Sequence, residues 1–203
     1  MNLRLVEKQV KEKLVWSDIK KEVSNFSRDG LLGLIKDLFE LSEENKTFLA
    51  ARFRTNTSYG IEKYKDIIIE QFFPGRGFGK LKLSIARKAI NDYKKATSDY
   101  KGVFDLMLTY IEYGTKFTLE FGDIDEPFYN SMESMLGQFF NLIKSEQHQK
   151  YYSTFKERIE KLRNSTYNKI GWGYSDYIDD VYLELKEFFS NQEPAPAQPV
   201  PDF

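Results

Sequence analysis

The 203-residue sequence predicts an all-α fold: seven to nine antiparallel helices, packed as a bundle or as a short curved stack of helix pairs. Three observations predict it. Of six prolines only Pro74 and Pro127 precede residue 190, so long stretches escape the lost hydrogen bond and the clash that proline brings to a helix. Apolar residues recur at spacings of three and four through most of the chain. Turn chemistry is too sparse for a β-rich chain, and no convincing strand is found.

Taken in order, residues 3–14 form an amphipathic helix through Leu3, Val6, Val10 and Leu14. Ser17 is expected to cap a short helix holding Ile19, Val23 and Phe26. Residues 28–41 place Leu31, Leu34, Ile35, Leu38 and Leu41 on one stripe. Ser42, just before Glu43 and Glu44, has the chemistry of an N-cap for a helix running to about Phe53. A helix starting at Ser84 carries Arg87, Lys88, Asn91, Lys94 and Lys95 on one side, with Ile85, Ala89, Tyr93 and Ala96 on the other. Residues 100–121 are apolar nearly all round, the pattern of a central helix. Gly114 within it costs about 1 kcal/mol relative to Ala unless a neighbour needs the space. Residues 127–143, 148–166 and 174–189 repeat the helical rhythm. Pro127 suits a first helical position, and Asp125 and Glu126 meet the positive end of that helix's dipole. Together these make one all-helical domain over 1–190. Residues 191–203 hold four prolines in thirteen positions and are expected to form a disordered, extended tail.

Composition excludes more chemistry than it assigns. There is no Cys and one His, which removes thiol catalysis, cysteine zinc sites, Fe–S clusters and His-rich metal sites. With 30 Lys+Arg against 31 Asp+Glu the formal charge is −1, unlike a strongly basic nucleic-acid binder. No secretory signal and no membrane span is found, so a soluble, cytoplasmic protein without membrane partners is expected. His148 reads as an exposed surface residue.

Three stretches stand out by their wording: Phe78-Gly79-Lys80-Leu81-Lys82-Leu83-Ser84 running into Ala86-Arg87-Lys88-Ala89-Ile90; Phe121-Gly122-Asp123-Ile124-Asp125-Glu126-Pro127-Phe128-Tyr129-Asn130-Ser131-Met132; and Ile170-Gly171-Trp172-Gly173. Together they resemble an uncharacterised family of bacterial all-helical proteins, a domain of unknown function, over roughly residues 60–188. The resemblance implies a small cytoplasmic helical protein. It brings no activity and no functional residues.

Two constellations are candidates for function. Residues 75–95 hold seven cations (Arg76, Lys80, Lys82, Arg87, Lys88, Lys94 and Lys95) against one acid, Asp92, a local charge of +6. Such a segment attracts an acidic protein surface, a second copy of the chain, phosphate or nucleic acid. It is not a P-loop: three residues rather than four separate Gly75 from Gly79, and Leu81 follows Lys80. The acidic turn Asp123, Asp125 and Glu126 offers oxygen ligands for a divalent cation, and also a helix cap or ion-pair partners for the basic helix. Gly171-Trp172-Gly173 reads as core or hinge packing, or as a ring facing a ligand. Tyr59, Tyr64, Tyr93, Tyr100 and Tyr151, interleaved with Lys, read as core edge by default, with base stacking or a protein interface as the alternatives. No motif calls for a cofactor or names a catalytic residue. The leading expectation is a non-catalytic protein-interaction or adaptor module. Phosphate or nucleic-acid binding through 76–95 and a metal enzyme at 123–126 are the alternatives.

Overall fold

The structure is a computed structural model that describes residues 14–53 and 58–191, the side chains of residues 58 and 59 excepted. The expected helix over 3–14 and the Pro-rich tail lie outside the described residues save for Leu14 and Asn191, as does the Tyr59 side chain. Among the described residues there are nine α-helices, one 3-10 turn and no strand. The chain divides into two compact units, Met1–Lys46 and Thr47–Phe203, the boundary falling inside a helix.

The first unit holds α1 (Trp16–Val23), α2 (Arg28–Leu41) and the start of α3 (Glu43–Phe53). Ser17 is not the cap of α1. Val15 takes that place, and the Asp18 carboxylate accepts its N–H at 3.2 Å. The Asp18 carboxylate at N3 thus satisfies the N–H of the N-cap residue, the N3 half of a capping box. Ser27 caps α2 by accepting from Gly30 N–H at 3.1 Å. Ser42 caps α3 as expected, accepting from Asn45 N–H at 3.1 Å.

In the second unit, α4 (Ser58–Phe72), α5 (Leu83–Ala96), α6 (Tyr100–Phe121), α7 (Glu126–Lys144), α8 (Tyr152–Thr166) and α9 (Tyr174–Ser190) build one core. The expected elements do not include α4. As expected, α6 is central: it packs against α4, α5, α7 and α8, and most of its residues are buried. Asp99 caps it, accepting from Gly102 N–H at 3.0 Å and from the Tyr93 hydroxyl at 2.7 Å. Phe104 lies at the centre, edge-on to Phe139 at 5.3 Å and beside Phe155. Gly114 earns its place, because a Cβ there would run into the Met132 side chain of α7. Tyr174 is fully buried and its hydroxyl shares a hydrogen bond with Thr115 at 2.9 Å, tying α9 to α6. Among the described residues no helix is long and apolar enough to cross a membrane.

Between α4 and α5 the chain turns on glycine. Gly77 has φ +80°, and a Cβ on Gly79 would collide with the Phe72 carbonyl at the end of α4. Leu81 N–H donates to Gln71 O at 3.0 Å. The Gly-rich loop is therefore folded back on the end of α4.

Candidate functional site: a groove between α5 and α7

The face that α5 buries is set by small residues. Ala86, Ala89, Ile90, Tyr93 and Ala96 point inward, and the alanines let the helix seat closely. Ala89, Tyr93 and Ala96 are buried as expected, whereas Ile85, expected on that face, is 41% exposed at its edge, and Ala86 and Ile90 complete the stripe. Burying this stripe turns Arg87, Asn91 and Lys94, at i, i+4 and i+7, along the edge facing α7.

A groove of about 380 Å³ opens there. Its apolar lining is Ile90 from α5, Val103 and Met107 from α6, and Met135 and Leu142 from α7. Its polar lining is Arg87, Asn91, Lys94, Gln138, Asn141 and Ser145. No carboxylate is among the lining residues. Arg87 is held across the helix pair: Nη1 donates to the Ser131 carbonyl at 3.0 Å and Nη2 to Ser134 Oγ at 3.3 Å. Ser131 Oγ is shared with the Tyr110 hydroxyl at 2.8 Å. The hydrogen-bond partners of Arg87 are neutral serine groups, and among the described residues it forms no ion pair.

The predicted cations do not form one cluster. Arg87 and Lys94 reach the groove. Lys88 points outward and pairs with Asp92 at 2.6 Å. Lys95 is exposed on the last turn of α5. Arg76, Lys80 and Lys82 precede the helix, and a 14-residue helix is about 20 Å long. Among the described residues, Arg76, Lys80, Lys82, Lys94 and Lys95 form no ion pair. The α7 half of the groove was missed. Its signal is a neutral polar stripe at helical spacing, Ser131, Ser134, Gln138 and Asn141.

The acidic turn lies elsewhere and does not pair with α5. Asp125 is the N-cap of α7, accepting from Phe128 N–H at 2.9 Å. Asp123 accepts from the Tyr129 hydroxyl at 2.9 Å. Glu126 is exposed in the first turn of α7. Among the described residues no three His or carboxylate side chains gather as a metal site would require.

Two further expectations change. His148 is buried, its ring 4.1 Å from that of Tyr100. Its Nδ1 lies 2.7 Å from Ser145 Oγ. Ser145 Oγ lies equally close, at 2.7 Å, to the Leu142 carbonyl, which only accepts. Trp172 is 57% exposed and stacks on Tyr129 at 6.1 Å rather than filling the core. Its φ is +60°, in the left-handed region beside Gly173 at +73°.

Elsewhere, burial shifts several protons. It pushes the Tyr64 phenol up to about 12 and raises those of Tyr93, Tyr110, Tyr129, Tyr174 and Tyr177. Burial also raises the Glu133 carboxyl above the ordinary glutamate range.

Neither the curated proteins nor the solved structures contain a match to this chain. One family profile does match, over residues 14–185, reaching well upstream of the 60–188 span on which the resemblance was read. The chain belongs to that family, a family of unknown function designated DUF6155.

Proposed function

We propose that this protein is a non-catalytic interaction module that receives an acidic, amphipathic peptide segment of a partner protein in the α5–α7 groove. The observation that carries the reading is the lining of that groove: an apolar floor with two cations, three side-chain amides and no carboxylate. Met107 and Met135 in the floor adapt to differently shaped apolar side chains. Lys94 and Arg87 meet carboxylates, while Asn91, Gln138 and Asn141 supply donors to peptide carbonyls. This is the helix-in-groove or extended-segment mode of recognition, with steering by charge. Lys88 and Lys95 flank the contact on the same helix. Arg76, Lys80 and Lys82 stand apart from it, which is why the whole 76–95 segment is not assigned as one phosphate or nucleic-acid surface.

The test uses fluorescence anisotropy with two labelled peptides. Both carry Leu and Phe at helical spacing; one has Glu at the remaining positions and the other Lys. The acidic peptide should bind and its basic twin should not, with affinity falling as salt rises. The pair Lys94→Glu and Lys95→Glu should weaken binding at least tenfold with an unchanged helical circular dichroism spectrum. Equal binding of the two peptides, or no loss in the charge-reversed protein, refutes the assignment.

A further inference from the structure

The sequence that follows α9 has the chemistry that the α5–α7 groove selects. Residues 192–203 hold two carboxylates, Glu193 and Asp202, and no Lys or Arg. Val200 and Phe203 supply large apolar side chains. Pro194, Pro196, Pro199 and Pro201 keep their carbonyls but have no backbone N–H. The segment is therefore acidic and apolar, with more hydrogen-bond acceptors than donors. The groove is lined in the opposite sense. Arg87 and Lys94 offer positive charge, Asn91, Gln138 and Asn141 offer amide donors, and the floor is apolar.

The end of α9 also lies near the end of the groove. A Cβ on Gly137 of α7 would sit 2.9 Å from the Tyr177 hydroxyl, and Lys144 Nζ lies 2.5 Å from Glu184 Oε1. The contact advances equally along both chains, so α9 runs beside α7 in the same direction. It then passes the end of α7, where Phe189 stacks on Tyr152 of α8 at 3.9 Å. From Glu184 to Asn191 is roughly 10 Å of helix, and packed helix axes lie about 8–10 Å apart. The Leu142–Ser145 end of the groove is thus within roughly 20 Å of Asn191. An extended Pro-rich chain covers about 3.1 Å per residue, or ~28 Å from Asn191 to Val200. The reach suffices.

We propose that Pro199-Val200-Pro201-Asp202-Phe203 of this chain occupies the α5–α7 groove in cis, with Asp202 against Lys94 and Arg87 and with Val200 and Phe203 on the apolar floor. The proposal rests on the groove as the peptide site: the chain's own segment holds that site until the acidic segment of a partner displaces it. Arg87 and Lys94 stand roughly 10 Å apart along α5, too close for Glu193 and Asp202, ~28 Å apart on an extended chain, to meet both. Asp202 is the carboxylate that engages them. Tethering gives the segment an effective concentration of about millimolar, so a contact too weak to form between free molecules still competes with a partner.

The experiment compares the full chain with a full-length variant carrying Val200→Ser, Asp202→Lys and Phe203→Ser. The probe is the acidic labelled peptide with Leu and Phe at helical spacing. The variant should bind it at least threefold more tightly than the parent. Without peptide, the side-chain amide NMR signals of Asn91, Gln138 and Asn141 should differ between the two proteins, and the difference should not change on dilution. Circular dichroism checks that both fold alike. Equal affinities with the amide signals unmoved overturn the inference and leave the peptide reading standing. Failure of the peptide to bind either protein refutes the peptide reading, and the amide signals then decide the tail: moved, they support its seat in the groove; unmoved, they overturn it. A difference that grows with protein concentration also overturns the assignment, because the occupant is then the segment of a second copy.

Discussion

Arg158 holds α8 against α6, and its removal has a magnitude that can be worked out. Nε and Nη2 donate to the Glu112 carboxylate at 2.9 and 2.7 Å, and Nη1 to Asp105 at 2.5 Å. Lys65 from α4 also reaches Asp105, at 2.9 Å. Arg158→Met keeps the length of the stem and a good helix former while deleting the charge. Asp105 retains Lys65; Glu112 loses its one ion-pair partner among the described residues. Removing one member of a fully buried pair costs about 3–5 kcal/mol, and an exposed pair is worth about 0–1 kcal/mol. The three side chains are 31%, 24% and 31% exposed, so the loss falls between these limits, at about 2 kcal/mol. In a chain of this size that corresponds to a fall in Tm of about 4–8 °C. Urea titration followed by circular dichroism reads the free energy and calorimetry reads Tm. A double-mutant cycle with Glu112→Gln should return a coupling of about 1 kcal/mol or more. A loss below about 0.5 kcal/mol, or a more stable Arg158→Met protein, would show that the methionine packs as well as the ion network it replaces.

Glu133→Gln should raise Tm at pH 7 and leave it unchanged near pH 4. Burial raises the folded-state pKa of this carboxyl, so above the ordinary glutamate value the folded state binds more protons than the unfolded one. Its contribution therefore falls as pH rises through that window; equal shifts at both pH values would contradict the assignment. Gly79→Ala should cost about 3 kcal/mol, because its Cβ meets backbone carbonyls of α4 that cannot swing aside. Gly33→Ala on α2 is the control, with nothing within 4 Å of the new methyl and a gain of up to about 1 kcal/mol from helix propensity. Thermal unfolding of both variants checks the contrast.

Local rules were readable where they are strong. The caps at Ser42 and Asp125 are side chain–backbone contacts within three residues, and Gly114 interrupts an otherwise fully apolar helix. Ser17 misled because the helix already begins at Trp16, with Val15 at the cap and its N–H accepted by Asp18. Ile85 misled because it lies at the edge of the apolar stripe of α5, and packing against α4 and α6 set where that edge falls. His148 has polar sequence neighbours, yet Tyr100, far earlier in the chain, covers its ring. The groove was half legible. The α5 cations announce themselves, but Arg87 finds its partners 44 and 47 residues away, and the neutral stripe on α7 carries no charge to draw notice. Long-range pairing of helices decides such sites, and spacing within one helix does not encode it.

The two tryptophans fall one in each compact unit, Trp16 in the first and Trp172 in the second. Replacing either by Phe leaves a single indole whose emission belongs to one unit alone. The pair of variants thus offers separate optical clocks for unfolding, and coincident or staggered traces would say whether the halves melt as one cooperative body or as two.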